Sequence, residues 1–367
     1  MTINPDLLDQ IAKETERKYK IQFRKGSDLP TVYRIPFHSP ELNLASGGGI
    51  PLGRISRIWG EESAGKSTNS LLLAKNAQNI HIYAESLLDH PNERVREKGE
   101  YLLNLFPEGM TVCWYDIEGS FDPVFAQKLG VDTDKLQVFE DKRIEVVGET
   151  LQAALSAAHL HIIDSTSGGS SLDELKESLT KWQIGLKARA WNKVLDRFEV
   201  SLDKKENAIV FIDQVRIDRK TGGFMVPGGR KMRHASSLTV QLKKGGWLFK
   251  TDNGWTDAMP QKADTVTTTA EARAFEIKAH VEKSRVGQAH RRAISRFDTK
   301  NSTFDLEWEY AKIAQWFKLV EKSGSWYQLP DGSKVQGDNG LKAAITENIE
   351  FKQKLNEAIE LYIVENP

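Results

Sequence analysis

The most constraining feature of this sequence is a glycine-rich octapeptide that separates an alternating apolar segment from a helical one. It reads Gly60-Glu61-Glu62-Ser63-Ala64-Gly65-Lys66-Ser67, and Thr68 follows it. Residues 54–59 alternate in polarity as a strand does, and residues 67–78 have the pattern of a helix. A strand, a glycine-rich loop and a helix in this order form a phosphate-binding loop of the pattern G-x-x-x-x-G-K-[ST].

Each position of this loop has a chemical reason. Glycines allow the backbone N–H groups to wrap around a β-phosphate, and the helix N-terminus adds partial positive charge. We expect Lys66 to reach the β- and γ-phosphates and the Ser67 hydroxyl to coordinate magnesium. The sequence therefore predicts that residues 60–68 bind ATP together with Mg²⁺.

Nucleotide chemistry also needs carboxylates near the metal and the attacking water. The apolar strand predicted at residues 160–164 ends in Asp164, which we expect to hold Mg²⁺ together with Ser67. Hydrolysis needs a further group that activates water, and Asp116 and Glu118 follow another predicted strand. Glu118 is preferred, although a helix-capping or strand-end role is equally open for either residue.

Apolar segments alternate with helical ones along most of the chain. Strands are predicted at residues 54–59, 111–116, 160–164 and 208–213, with helices between them. Apolar strands that alternate with helices form a mostly parallel sheet that is covered on both faces. The predicted fold class is therefore α/β, with a mostly parallel central sheet.

The composition divides the chain into three predicted domains. Residues 1–40 combine an amphipathic helix with a linker rich in Gly, Ser and Pro, and are expected to pack between subunits. Residues 41–300 form the core, which a charged helical insertion interrupts at about residues 79–108. Residues 301–367 change to aromatic-rich helices and turns, which predict a small α+β C-terminal domain.

The charge balance limits what the whole chain attracts. Lysine plus arginine equals aspartate plus glutamate, 51 against 51, so the net charge offers no general attraction to a polyanion. A DNA site must therefore be local, and the basic stretches at residues 230–234 and 283–296 are the candidates. Either stretch by itself is more often a solvated surface.

The composition also limits which cysteine chemistry is possible and where in the cell the protein is expected. The single cysteine, Cys113, excludes an internal disulfide and a cysteine-built zinc site. The chain has 39% hydrophobic residues but no apolar run that would cross a bilayer. Its N-terminal segment lacks the apolar stretch of a secretory signal, so the sequence predicts a cytoplasmic protein.

Several segments resemble the bacterial RecA family, in the same order and over nearly the whole chain. They are residues 44–55, the phosphate-binding loop, residues 115–131, residues 211–216 and residues 318–327. The resemblance implies a RecA-type ATPase core. It also implies ATP-dependent homologous recombination, in which a helical filament on single-stranded DNA pairs that strand with duplex DNA and exchanges strands.

The resemblance also assigns roles to residues of the nucleotide site. Glu118 falls where the family has its catalytic base, and Phe125 where an aromatic ring stacks on adenine. Gln214 matches the amide that senses the γ-phosphate. Lys283 and Arg285, aligned with one extra residue before them, match two cations that reach the neighbouring subunit's γ-phosphate. The alternatives are a core position for Phe125 and a solvated surface for the two cations.

Two DNA-binding loops are implied as well, at about residues 177–184 and 217–227. The predicted DNA-binding residues are Ile184, Gly185, Arg189, Arg216, Phe224, Met225, Gly228, Gly229 and Arg230. The apolar members are expected to wedge between bases, and the basic side chains and backbone N–H groups to hold the phosphates. Ordinary surface loops remain the alternative interpretation of both segments.

Departures from the family pattern indicate a divergent member. The insertion at residues 79–108 is longer than the family's connection, the second DNA loop is shorter, and Arg230 and His234 replace more usual residues. A viral or mobile-element origin is one interpretation. The alternative functions are a ring helicase or DNA motor on the same core, and a regulatory ATPase without DNA binding. The glycine pair at 228–229, the basic run after it and the C-terminal segment favour a recombinase.

Overall fold

The computed structural model describes residues 5–19, 31–176, 185–201, 206–217, 224–225, 229–251, 254–257 and 272–367 of the chain. The chain forms two compact units, Met1–Val32 and Tyr33–Pro367. The first contains helix α1 (Pro5–Tyr19), which carries Arg17 and Lys18 in its last turn, where the helix dipole favours cations. The division at residue 32 differs from the boundary predicted at residue 40, because residues 33–40 belong to the second unit.

The second unit alternates strands and helices as the sequence predicted. Its described strands are β1 (Arg34–Ile35), β2 (Ile50–Pro51), β3 (Arg54–Gly60), β4 (Val112–Asp116), β5 (Leu136–Glu140), β6 (Leu160–Asp164), β7 (Ala208–Gln214), β8 (Arg216–Ile217), β9 (Phe224–Met225), β10 (Leu238–Thr251), β11 (Gly254–Thr256), β12 (Ala272–Ser284), β13 (Arg292–Asp298), β14 (Thr303–Phe304), β15 (Glu321–Ser323), β16 (Trp326–Gln328) and β17 (Lys334–Gln336). Its described helices are α2 (Pro40–Ser46), α3 (Lys66–Gln78), α4 (Ile80–Glu85), α5 (Glu93–Leu105), α6 (Pro123–Lys128), α7 (Ile144–Ala154), α8 (Leu172–Lys176), α9 (Leu186–Ser201), α10 (Gly229–Ala235), α11 (Leu306–Trp316), α12 (Gly337–Glu347) and α13 (Ile349–Glu365).

One large sheet organises this unit. Its strand order is β14-β13-β12-β10-β3-β7-β6-β4-β5, with β11 beside β10. The strands from β10 to β5 along this order run parallel, whereas β10, β12, β13 and β14 pair antiparallel. The α/β class is confirmed. The antiparallel extension is the part of the sheet that the sequence analysis did not predict.

The inner parallel strands β3, β4, β6 and β7 are almost entirely buried, which requires cover on both faces of the sheet, whereas the edge strand β5 is largely exposed. Along β7, Ala208, Val210 and Ile212 face one hydrophobic core, and Ile209 and Phe211 face another. Successive side chains of a strand point to opposite faces, so the two cores lie on the two sides of the sheet. Helix α3 packs into the first core, and helices α7 and α9 pack into the second.

The C-terminal region has a third hydrophobic core. Side chains of α11, α12, α13 and the small sheet β15-β16-β17 build it, and Leu44 of α2 contributes from outside the region. The aromatic-rich helix and the final helix expected after residue 300 are therefore present. The domain boundary placed at residue 301 stays a prediction.

The insertion predicted at residues 79–108 is helical and contacts the C-terminal helix α13. The ammonium group of Lys98 lies 2.8 Å from a Glu360 carboxylate oxygen, and the Tyr83 hydroxyl donates to the other oxygen at 2.8 Å. The Arg94 guanidinium donates to the Val364 carbonyl at 3.2 Å. The insertion thus links the sheet region to the C-terminal helix.

Within the described part of the chain, we find no helix whose length and apolar content would let it cross a bilayer.

Candidate active site

The phosphate-binding loop begins at the carboxyl end of β3 and packs closely on the antiparallel half of the sheet. A Cβ atom added to Gly60 would lie 2.0 Å from the Leu242 carbonyl oxygen. Gly65 has a φ of +79°, and a Cβ there would lie 2.6 Å from the Ile277 side chain. Neither position tolerates a side chain, which explains why the glycines of the motif occur here.

Lys66 opens helix α3 and folds back over the loop. Its side chain is only 6% exposed, and its ammonium group donates to the Glu61 carbonyl at 2.6 Å. Burial lowers the pKa of Lys66, while the carboxylates of Asp164 and Glu118 oppose that shift. A buried cation held above a ring of backbone amides is suited to bind a polyphosphate.

Ser67 and Asp164 meet in front of this loop. The Ser67 hydroxyl donates to an Asp164 carboxylate oxygen at 2.8 Å, and Asp164 lies at the end of β6. Burial raises the pKa of Asp164 to about 6, partly offset by the hydrogen bond from Ser67. A hydroxyl and a buried carboxylate are oxygen ligands of the type that Mg²⁺ prefers, so the predicted metal pair fits the ion chemically.

The structure separates the surroundings of Asp116 and of Glu118, the carboxylate that the sequence analysis preferred as the base. Asp116 is 2% exposed, and its oxygens accept from the backbone N–H groups of Gly119, Ser120 and Phe121 at 2.8–3.1 Å. This carboxylate therefore closes the turn after β4. Of the open alternatives, the strand-end role holds for Asp116, which is the last residue of β4.

Glu118 instead contacts side chains at the ends of β6 and β7. Its carboxylate accepts a hydrogen bond from the Ser165 hydroxyl and is 3.1 Å and 3.2 Å from the Gln214 amide nitrogen. The candidate base and the candidate γ-phosphate sensor thus touch each other. Both are only partly exposed, and both lie at the carboxyl edge of the sheet together with Lys66 and Asp164.

A buried ion pair behind the site was missed by the sequence analysis. Asp213 is fully buried, and its carboxylate accepts from the Arg57 guanidinium and from the Thr166 hydroxyl. Arg57 lies on β3 and Asp213 on the neighbouring β7, next to Gln214. The available signal was a charged residue in the middle of β3 and another near the end of the apolar strand β7, because buried charges occur in pairs.

Phe125 lies on α6, whose N-terminus is capped by Asp122 through hydrogen bonds of 2.8 Å and 3.1 Å. The Phe125 ring is half-buried and packs against the hydrophobic core that contains α3. Adenine stacking by this ring stays a prediction.

Lys283 and Arg285 lie away from the phosphate-binding loop of their own subunit. Arg285 donates its backbone N–H to Ser237, which in turn donates to Ile55 at the start of β3. Ile55 precedes Gly60 by five residues, or about 16 Å along a strand. The two cations are therefore near the amino edge of β3, whereas the loop follows its carboxyl edge.

Lys283 also brings the two predicted basic stretches together. Its ammonium group donates to the carbonyl oxygens of Arg233 and His234, at 2.7 Å and 3.0 Å, at the end of α10. Burial, followed by the charges of Arg285 and Arg233, lowers the pKa of Lys283 to about 8. A cation at a helix carboxyl end also interacts favourably with the helix dipole.

Parts of the two predicted DNA-binding loops are described. Gly185 has a φ of +89° and precedes α9, which contains Arg189. Strands β8 and β9 pair antiparallel, with Arg216 opposite Met225 and Ile217 opposite Phe224. Gly229 and Arg230 open α10. Ile184 and Gly228 lie outside the described residues.

A loop of this pattern after a parallel strand, with an aspartate at the end of a nearby strand and a glutamate beside it, defines the class of P-loop ATPase folds. The model of the RecA N-terminal domain family matches residues 102–289, so the chain belongs to the RecA family. The match begins after the phosphate-binding loop.

Full-length relatives extend the similarity across the loop. The chain is 27% identical to Protein RecA of Nitratidesulfovibrio vulgaris over 383 residues, which cover 100% of this chain and 92% of the relative. It is 27% identical to Protein RecA of Fusobacterium nucleatum over 348 residues, 92% of this chain and 78% of the relative. It is 25% identical to Protein RecA of Aquifex aeolicus over 361 residues, which cover 92% of this chain and 88% of the relative. The protein is a divergent RecA-like recombinase.

Proposed function

We propose that this recombinase hydrolyses ATP in a DNA-dependent manner and polymerises on single-stranded DNA to pair it with homologous duplex DNA. The observation that carries the proposal is the contact between Glu118 and Gln214, since it joins the candidate water-activating group to the strand that leads into β8. The geometry therefore supports a site in which the end of β7 carries Gln214 of the nucleotide site and leads directly into the second DNA-binding loop.

Lys66 and the loop amides would bind the β- and γ-phosphates of ATP, with Ser67 and Asp164 holding Mg²⁺. When bound, Mg²⁺ would neutralise part of the phosphate charge. The carboxylate of Glu118 would accept the proton of the attacking water. Gln214 would orient that carboxylate and exchange its hydrogen bond for one to the γ-phosphate, because an amide has both a donor and an acceptor.

Lys283 and Arg285 would complete the site of an adjoining subunit. Their place near the amino edge of β3 supports this role, because they do not face the loop of their own chain. A site shared in this way implies a head-to-tail interface, which gives an open filament when the rotation between subunits does not close into a ring. Bound ATP would then stabilise the filament as well as supply its energy.

A conservative variant tests the nucleotide chemistry. Glu118→Gln keeps the shape of the side chain but removes the proton acceptor, so DNA-stimulated ATP hydrolysis should fall about 100-fold or more. Filaments on single-stranded DNA with ATP should persist in negative-stain electron micrographs. Glu108→Gln, an exposed position in the insertion, is the matched control. Hydrolysis at the wild-type rate in Glu118→Gln, or closed rings in the micrographs, would contradict the proposal.

The DNA-binding role of the β8–β9 pair requires a separate measurement. A joint Phe224→Ala and Met225→Ala change should weaken single-stranded DNA binding by about 1 to 3 kcal/mol per base that is released, without loss of ATP binding. Arg216→Ala should instead reduce the salt dependence of the affinity, since a phosphate contact would be lost. Fluorescence anisotropy over a salt series separates the two effects, and unchanged affinity and slope would remove these residues from the DNA site.

A further inference from the structure

A cavity away from the nucleotide site lies where α2, the start of β13, α11 and α13 meet. Its volume is about 400 Å³. Its floor is apolar and consists of Leu44, Ala45 and Ile313, each no more than 6% exposed. None of these residues takes part in the site described above, so this cavity needs an explanation of its own.

The wall of the cavity is aromatic and unusually exposed. The Trp316 side chain is 56% exposed, and its ring lies 5.0 Å from that of Tyr362 in an edge-to-face arrangement. An indole in this position offers a large apolar area that a ligand would remove from water. Tryptophan, tyrosine and arginine are also the residues on which the energy of protein–protein binding concentrates.

The rim of the cavity carries positive charge. The Arg291 guanidinium is held by the Leu44 carbonyl at 3.0 Å and lies over the Tyr362 ring. Lys312 is paired with Glu41, the one carboxylate in the lining. Arg292 is exposed and forms no salt bridge with any residue that the structure describes. Three cations therefore face one carboxylate, although the chain as a whole is neutral.

We propose that this cavity is a docking site for a peptide segment of another protein, in which a large apolar side chain is flanked by carboxylates. The apolar floor and Trp316 receive the anchor side chain, and Arg291 and Arg292 pair with the carboxylates. Arginine presents a planar set of donors that matches a carboxylate in two-point contacts. A nucleic acid fits this site less well, because the floor offers no polar group and Glu41 stands at the rim.

The test uses the full chain and a fluorescein-labelled peptide, acetyl-Asp-Asp-Leu-Phe-Asp, in an anisotropy titration. Two further peptides replace its aspartates by asparagine or its leucine and phenylalanine by alanine. We expect saturable binding of the acidic peptide, and binding at least about tenfold weaker for both replacements. Trp316→Ala and Arg292→Glu should each weaken the acidic peptide about tenfold, and Arg292→Glu should also flatten the salt dependence.

The control variants are matched by chemistry. Trp326→Ala removes another exposed tryptophan, 47% exposed and outside the cavity lining, and Lys300→Glu reverses an exposed cation in the turn after β13. Both should bind the peptide as the wild type does. Trp316→Ala should keep the wild-type DNA-stimulated ATPase, which separates this site from the proposed catalytic function.

Several results would overturn the proposal. One is the absence of saturable binding, and another is equal binding of the neutral or alanine peptide. Equal losses in Trp316→Ala and Trp326→Ala would show that the effect is not specific to the cavity. Displacement of the peptide by single-stranded DNA, with loss of DNA affinity in Trp316→Ala, would assign the surface to nucleic acid. Failure of Trp316→Ala to form filaments would assign it to a second copy of this chain.

Discussion

Glu309 is a fully buried carboxyl group that lines neither of the proposed sites. It lies in α11 with no exposed surface, and it accepts hydrogen bonds from the Ser39 hydroxyl at 2.6 Å and the Glu41 backbone N–H at 3.2 Å. Burial raises the pKa of Glu309 to about 7, against an ordinary value of 4.5. The folded protein therefore favours the protonated form more strongly than the unfolded chain does.

This shift predicts how stability changes with pH. A carboxyl whose folded pKa is raised contributes stability that is complete below pH 4.5 and is lost as the pH rises to about 7. Glu309→Gln removes this dependence, so the variant should match the wild type near pH 4.5 and exceed it near pH 8 by at most about 3 kcal/mol. Urea unfolding at several pH values measures the difference.

The control is Glu347→Gln, an exposed glutamate of α12. It should leave the pH dependence of the unfolding free energy unchanged. A Glu309→Gln variant with the same pH profile as the wild type would show that Glu309 remains charged in the folded state.

Among the elements, the insertion α4–α5 contacts the C-terminal helix through a nearly buried ion pair. The pair of Lys98 and Glu360 joins it to α13, with side chains that are 9% and 13% exposed. Tyr83 adds a hydroxyl between them, donating to Glu360 and accepting from Lys98 at 2.6 Å. A buried ion pair of this kind changes the free energy of unfolding little while it is complete. Loss of one member lowers that free energy strongly, because an unpaired charge stays buried.

Lys98→Met should therefore leave Glu360 without its cation and lower the free energy of unfolding by about 3 kcal/mol. The double variant Lys98→Met/Glu360→Leu should be closer to the wild type, because no unpaired charge is left. Calorimetry of the full chain measures both.

Lys354 supplies the comparison, because it forms an exposed pair with Glu350 one helical turn away. Lys354→Met should leave the free energy of unfolding nearly unchanged, because solvent screens an exposed pair. Equal effects of Lys98→Met and Lys354→Met would mean that the insertion does not stabilise the contact with α13.

At the scale of the whole molecule, the two halves of the proposed ATP site lie at opposite ends of the strands of the central sheet. The phosphate-binding loop follows the carboxyl end of β3, and Lys283 and Arg285 lie near its amino end. One subunit therefore contains both halves but does not bring them together. If the site is shared between subunits as proposed, we expect hydrolysis to depend on assembly.

Subunit mixing tests this dependence. Lys66→Ala subunits lack the phosphate-binding cation but keep Lys283 and Arg285. Lys283→Ala/Arg285→Ala subunits have the converse defect. Each alone should be nearly inactive, and a mixture should regain part of the DNA-stimulated ATPase at interfaces that combine one intact half from each. Activity that never exceeds the sum of the two variants, with co-assembly confirmed by cross-linking, would return the cations to an ordinary surface role.

The sequence by itself determined the features that depend on local spacing. The phosphate-binding loop, Asp164 at the end of β6 and the parallel strands follow from residue types a few positions apart, since glycine conformation and strand alternation are local properties. The helical insertion was predicted for the same reason. The antiparallel half of the sheet was missed, although residues 238–242 and 277–281 also alternate in polarity. Which strands pair and in which direction is set by tertiary packing and leaves no local pattern.

Only the tertiary structure decided which of the equivalent candidates face the site. The sequence preferred Glu118 over Asp116 but left a structural role open for either residue. In the structure the Asp116 carboxylate closes a turn and that of Glu118 meets Gln214. The pairs Arg57–Asp213 and Lys98–Glu360 join residues more than 150 positions apart, as their numbers show. A charge is buried only where a distant part of the fold supplies its partner, so these contacts are set by packing and not by sequence spacing.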